Sequence, residues 1–141
     1  MSNQTILRST DEDSTYVRNK LIEFNANQLS DDIKNNYEEI NLHMKDAEGN
    51  IIGGLLSVLC WNWLEVDILW IDQNHRENGH GSSLLSEIER IAWEKKCSFI
   101  KLNTFSFQAP DFYKKHGYKI IATINDAPRG HKHYYFLKEL D

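Results

Sequence analysis

The stretch RENGHGSSLL, Arg76–Leu85, stands between an apolar run that ends in DILWID, Asp67–Asp72, and an amphipathic run that begins at Ser82. Two glycines one residue apart at such a junction let backbone come close to another group, because no Cβ stands in the way. If the second run is a helix, its first turn offers N–H groups without intrahelical partners and the positive end of the macrodipole. A glycine loop around that end suits an anion, phosphate above all. Two familiar phosphate loops do not fit. No Gly-Lys-Ser/Thr follows, as the P-loop needs, and a dinucleotide fingerprint would put its third glycine at Leu84 and lacks the acidic residue it requires downstream. On the glycines alone, a plain helix cap explains the stretch as well as an anion site does.

Outward from the loop, the chain alternates strand-like and helix-like segments. Toward the C-terminus, Leu84, Leu85, Ile88, Ile91 and Ala92 share one face of a helix over Ser82–Lys96. SFIKLNTF (98–105) then reads as a strand, APDFYKKHG (109–117) as a short helix closed by Gly117, and YKIIATI (118–124) as a strand. After the turn NDAPRG comes a last strand, HKHYYFLKEL (131–140). Toward the N-terminus, WNWLEVDILWID (61–72) reads as a strand. Ile40, Leu42 and Met44 alternate with polar residues, and DAEGN turns the chain into the apolar run Ile51–Cys60, which makes a hairpin. Gly53-Gly54 inside that run predicts a bulge or a close approach by a neighbour. QTILR (4–8) reads as a first strand, STDEDS as a capping segment with Ser and Asp at the cap, and Val17, Leu21, Ile22 and Phe24 as the apolar face of a helix running to about Gln28. SDDIKNN reads as a short helical or irregular piece. The order implies an α/β fold: a mixed sheet with helices on both faces.

Composition narrows the class of protein. A chain of 141 residues fits one domain, 1–141, with no repeat or composition shift, and is long enough for a core that needs neither disulfide nor metal. Its two cysteines lack any zinc-site or CxxC spacing and read as small core residues of a reducing compartment. No signal-like leader opens the chain and no apolar run is long enough to cross a membrane, so a cytoplasmic protein without a membrane partner is expected. A formal charge of −5 disfavours nucleic acid and leans toward a cationic or amine-bearing partner, although solubility explains it too.

Arg76, Gly79 and Gly81 fit the pattern Gln/Arg-x-x-Gly-x-Gly/Ala, and FQAPDFYKKHGYK (107–119) supplies an alanine, an aromatic-Tyr pair, a basic pair and Gly-Tyr after the fifth strand. In these two blocks, and in the order of its elements, the chain resembles the GNAT superfamily of acyl-CoA-dependent N-acyltransferases. The resemblance implies a single-domain, mostly antiparallel central sheet of about seven strands with helices on both faces, splayed between strands four and five. It implies acetyl-CoA as co-substrate and no metal. The backbone of Glu77, Asn78, Gly79, His80, Gly81 and Ser82 would wrap the pyrophosphate, Arg76 would brace the loop or touch phosphate, and Leu69, Trp70 and Ile71 would bond the pantetheine arm. Many relatives carry an Asn in the second block that contacts this arm. Phe107 stands there in this chain, with Gln108 beside it as the replacement. Tyr113 falls where many relatives place the acid that protonates the departing thiolate, and Glu65 where histone-acetylating relatives keep a glutamate base. Dimers are common in the family, so a homodimer is one of the assemblies left open.

Acetyl transfer to an amine requires a base for the amine and an acid for the thiolate. Glu65 and Asp67, two residues apart on a strand, share a face and are the base candidates, with a solvated acidic face as the alternative for each. A phenol at Tyr113 stays protonated at neutral pH and can donate; a core aromatic is the other reading. His131 and His133 share a face of the last strand but lack a third metal ligand. His75 and His80 flank the loop at its surface. Trp61 and Trp63 are the tryptophans expected to face substrate. These features predict an N-acetyltransferase that moves an acetyl group from acetyl-CoA to a primary amine of a small molecule or peptide by direct attack. A non-catalytic acyl-CoA sensor, and an interaction protein whose loop only caps a helix, are the alternatives. The acceptor, and acyl groups other than acetyl, stay open, because variable loops decide them.

Overall fold

A computed structural model of the chain describes residues 3–141; Met1 and Ser2, which open the stretch expected to carry no leader, lie outside the described residues. The residues up to Asn35 form one compact unit and Asn36–Asp141 another. In the first unit, Gln4–Arg8 is irregular and not a strand. Helix α1 spans Asp11–Gln28 and its cap is Thr10, whose hydroxyl accepts from the Asp13 N–H at 3.1 Å. The aspartates fill the first turn instead, where their charge meets the helix dipole. Turns follow over 31–35, so SDDIKNN takes the irregular of its two readings.

The second unit holds one six-stranded sheet, in the order β1-β2-β3-β4-β6-β5, one strand fewer than expected because Gln4–Arg8 contributes none. Its strands are β1 (Tyr37–Lys45), β2 (Ile51–Cys60), β3 (Trp63–Ile71), β4 (Phe99–Phe105), β5 (Lys119–Asn125) and β6 (Lys132–Glu139). Every neighbouring pair is antiparallel except β3 with β4, which are joined by a helical crossover and run parallel. The hairpin turn after β1 is built by Asp46, whose Oδ1 accepts from the N–H groups of Glu48 and Asn50, each at 2.9 Å, while Gly49 takes a φ of 88°.

Helix α2 covers His80–Glu94, and helix α3 covers Pro110–Lys115. Leu84, Leu85, Ile88 and Ala92 of α2 pack with Leu55, Leu64, Ile100 and Phe136 in a core from which water is excluded. Fully burying one such side chain is worth roughly 1.5–3 kcal/mol, so this layer holds the crossover helix against the sheet. Gly117, at a φ of 88°, ends α3, and the Tyr118 N–H bonds back to the Tyr113 carbonyl at 3.0 Å.

One irregularity shapes everything near the glycine loop. Along β2 and β3, Leu56 pairs with Ile68 but Ser57 pairs with Val66, so Asp67 is an extra residue on β3. Such a bulge bends and twists its strand. The disturbed ladder is made good from the other side: Ser57 donates from its N–H to Asn41 Oδ1 at 3.2 Å and from its hydroxyl to the Ile40 carbonyl. Beyond the bulge β3 leaves β4. Their pairing runs only from Trp63 with Phe99 to Val66 with Leu102. The splay expected between the fourth and fifth strands therefore lies between β3 and β4. Gly53 and Gly54 are not the bulge; a Cβ at Gly53 would stand 2.6 Å from Ile71 Cδ1 and 3.1 Å from the Trp70 carbonyl oxygen, which is the predicted close approach.

Candidate active site

The gap left by the parted strands opens into a groove of about 860 Å³. One wall is β3 from Val66 to Ile71, the other is β4 from Leu102 to Thr104 with the turn at Phe107–Ala109, and the ends are the glycine loop and α3. Twelve of the fourteen residues picked from sequence line it: Asp67, Leu69, Trp70, Ile71, Arg76, Glu77, Gly79, His80, Gly81, Ser82, Gln108 and Tyr113. Glu65 and Asn78 do not.

At the loop, Asp72 caps a single 3₁₀ turn, Gln73–His75, through the Asn74 N–H and the His75 ring. Arg76 then reaches back, its Nε donating to the Ile71 carbonyl at 3.0 Å, so the guanidinium braces the loop against the end of β3. Glu77 and Gly79 take φ values of 67° and 79°. Left-handed backbone at this spacing turns successive N–H groups to one side. Helix α2 begins two residues earlier than the apolar pattern indicated, with Gly79 as its N-cap, so Gly81 lies within the first turn. The glycines have different reasons to be there. A Cβ on Gly79 would meet nothing within 4 Å but would be strained by the positive φ, whereas a Cβ on Gly81 would press on the Phe112 ring at 3.3 Å. Open space above Gly79, exposed helix N–H groups and a bracing arginine fit a pyrophosphate.

Ser82 is tied to His116, its hydroxyl 2.9 Å from the imidazole Nε2. His116 also stacks near Phe112, with ring centroids 4.7 Å apart. His116 was not singled out from sequence, although it lies in a block that carried the family resemblance; its pairing with Ser82 is set by a fold-back of thirty-four residues. Gln108 does stand beside the groove, but its Oε1 already accepts from Thr104 Oγ1 at 2.8 Å and the Phe105 N–H at 3.1 Å. Its Nε2 is the atom it can offer a ligand. Asn103, on the same wall, was also missed.

Tyr113 is buried among Phe112, Tyr118 and Phe136, which fix its ring. Among the described residues no group hydrogen-bonds its hydroxyl, and no buried side-chain polar atom lacks a partner, so that hydroxyl opens to the groove. Loss of water pushes its pKa up to about 12. It remains a proton donor throughout the physiological range. Tyr118 is held differently: its hydroxyl donates to Glu89 Oε2 at 2.8 Å, beside the Lys138 ammonium, and burial followed by the Glu89 charge raises its pKa further.

The two base candidates have parted company. Glu65 lies on the paired half of β3 with Lys101 Nζ 3.5 Å away, and that ammonium also sits 4.8 Å over the Trp63 ring. Asp67, on the bulge, faces the groove, and partial loss of water, then the Glu65 charge, raise its pKa. Trp61 and Trp63 do not face the groove either. Trp61 lies in the tight β2–β3 turn at a φ of 53°, and Trp63 stacks on Phe99 at 5.8 Å. His75 and His80 line the groove's edge, with ring centroids 6.5 Å apart. Among the described residues no three His, Cys, Asp or Glu side chains come together as metal ligands, and no helix is long and apolar enough to cross a membrane.

With this geometry in place, comparison with known proteins identifies the class. Residues 7–118 match the model of the acetyltransferase (GNAT) family. The curated blasticidin-S acetyltransferase of Streptomyces morookaense is 41% identical over 93 residues, covering 65% of this chain and 68% of that protein. A crystal structure of an acetyltransferase from Bacillus cereus ATCC 14579 is 44% identical, covers 97% of this chain and 98% of its own, and superposes with a TM-score of 0.93. A Bacillus anthracis str. Ames structure in complex with acetyl coenzyme A shares the fold at 22% identity and a TM-score of 0.66, over 76% of this chain and 65% of that one. The chain belongs to the GNAT acetyltransferase family and is an acyltransferase; enzymes of this family use acetyl-CoA.

Proposed function

We propose that residues 1–141 act as a single N-acetyltransferase domain that moves an acetyl group from acetyl-CoA to a primary amine of a small molecule or peptide. The observation that supports this reading is the parting of β3 from β4 beyond Val66, beside which the glycine loop, a strand edge, a carboxylate and a phenol line one groove. The pyrophosphate rests on the N–H groups from Glu77 to Ser82, with Arg76 as brace. The pantetheine arm lies along Leu69, Trp70 and Ile71 and takes a hydrogen bond from Gln108. Asp67, directly or through water, takes the amine proton. The amine nitrogen attacks the thioester carbonyl carbon, the C–N bond forms, the C–S bond breaks, and the Tyr113 hydroxyl gives its proton to the leaving sulfur and regains one from solvent. Direct attack is supported by the state of the cysteines: burial raises the pKa of both Cys60 and Cys97, so neither is an activated nucleophile.

The curated relative's acceptor makes blasticidin-S the first amine to offer. The test is release of CoA thiol from acetyl-CoA with a panel of amines, run beside calorimetric CoA binding. Release with at least one amine is the expected result. Binding without release would make the chain an acyl-CoA sensor, and no binding would leave the loop as a helix cap.

A further inference from the structure

From Phe107, which lines the groove with Asn103, a run of aromatic rings continues away along β4 and β6. Phe107, 56% exposed at the groove's edge, lies nearly parallel to Phe105, with an interplanar angle of 5° and centroids 5.4 Å apart. Phe105 stacks on His133 at 4.5 Å, and His133 meets Tyr135 at 4.6 Å. His131 closes on Phe107 edge-on at 4.9 Å. The backbone register explains why: Phe105 pairs with His133 and Asn103 with Tyr135 across β4 and β6, so their side chains emerge on one face of the sheet. Asn103 Oδ1, 2.9 Å from His133 Nε2, orients that imidazole within the row.

This row is not part of the core, and apart from Phe107 its rings lie outside the residues that line the groove. A core aromatic is buried; Phe107 and His131 are exposed. Exposed rings at the edge of a cleft offer contact to another flat ring, since offset stacking and edge contact add attraction beyond burial. The ends of the row differ in charge from the neighbouring wall. The row presents aromatic ring surface, while Asp67 lines the same groove as Phe107 and brings a carboxylate to it. A ligand that fits both ends has a planar unsaturated ring at one and an ammonium or amine at the other. We propose that this row is a stacking platform for a flat aromatic or heteroaromatic ring carried by the acceptor, making the enzyme selective for aryl-bearing amines over aliphatic ones. The proposal rests on the reading of the groove as an amine-acetylating site.

The test uses the full chain saturated with CoA, so that binding is read without turnover, and two probes: tryptamine and n-hexylamine. Calorimetry should give tighter binding for tryptamine by at least about fivefold. Phe107→Leu and His131→Leu, both at exposed positions, should each reduce that preference to less than about twofold, and ligand-observed NMR should lose the ring-current shifts of the indole protons. Equal binding of the two amines by the wild type, or a preference that survives both substitutions in proteins with unchanged circular dichroism, would overturn the platform. CoA release assays on the same samples keep the two ideas apart. A platform that binds tryptamine preferentially while no acetyl transfer occurs would stand, and the catalytic reading would fall; transfer without the preference gives the reverse.

Discussion

Strand β3 runs beside β4 twice, once as a partner and once as a stranger. From Trp63 to Val66 it pairs in register with Phe99–Leu102, Trp63 stacks on Phe99, and Glu65 is matched by Lys101. From Asp67 to Ile71 it has β2 on one side and the groove on the other. The same strand types and residue types occur in both halves, and one inserted residue separates them. In the paired half, charge is compensated and rings cover each other; in the parted half a carboxylate, an amide and a phenol share a cleft. Chemistry has room only where the sheet fails to close.

The contrast is broken or sharpened most directly at Tyr113. If the parted half holds the acid, Tyr113→Phe removes only a hydroxyl and should lower kcat by roughly 10²–10⁴-fold, at least tenfold, with acetyl-CoA affinity nearly unchanged. A wild-type rate in an assay limited by chemistry would take Tyr113 out of the mechanism. Because its pKa is pushed up to about 12, the wild type should also show no alkaline loss of activity from this phenol where an ordinary tyrosine would begin to ionise.

The two carboxylates make the next test. Asp67→Asn should cost about tenfold or more in kcat/KM, and Glu65→Gln less than about threefold, since only the first faces the groove. The loss should be greatest between the raised pKa of Asp67 and the pKa of the amine, where the ammonium predominates and the carboxylate is ionised; below that window the wild type loses the base too, and the two profiles converge. Equal pH-rate profiles for both variants and the wild type would leave the amine to lose its proton to solvent.

At the glycine loop, Gly81→Val should weaken CoA binding by at least about 1.4 kcal/mol, a factor of ten. The Phe112 ring at 3.3 Å supplies the reason, so Gly81→Val combined with Phe112→Leu should recover most of the loss. If the double variant binds CoA no better than Gly81→Val alone, the obstruction is to the phosphate itself. In the paired half, the effect should fall on stability only. Lys101→Met breaks an ion pair and a cation–ring contact that are both partly solvated, and should cost about 0.5–1 kcal/mol in urea denaturation with kcat unchanged.

Much of this molecule is legible in its chain. Gly79 and Gly81 between an apolar run and an amphipathic one announced the loop, because left-handed backbone and close approach both call for glycine. The core face of α2 follows from apolar spacing, and the closure of α3 from Gly117. Local signals misled where propensity had no partner to support it. Gln4–Arg8 reads as a short strand but has no ladder, and a strand exists only through a neighbour's hydrogen bonds. Trp61 and Trp63 look like a substrate-facing pair until Trp61 falls in a turn and Trp63 against Phe99.

What the sequence determined by itself is the set of local instructions: where backbone must bend left-handed, the core face of α2, the glycine that closes α3, and the two motif blocks by which the family is recognised. These depend on a residue and its neighbours within a turn or two. Which of two carboxylates faces the groove, why Gly81 has no side chain, that Ser82 meets His116, and that five rings line up beside the cleft were decided only by tertiary structure. Asp67 and Glu65 carry the same charge two residues apart, and any strand pattern puts them on the same face. A bulge set by the register between β2 and β3 turned one toward the groove and left the other paired, and register is a property of two strands together.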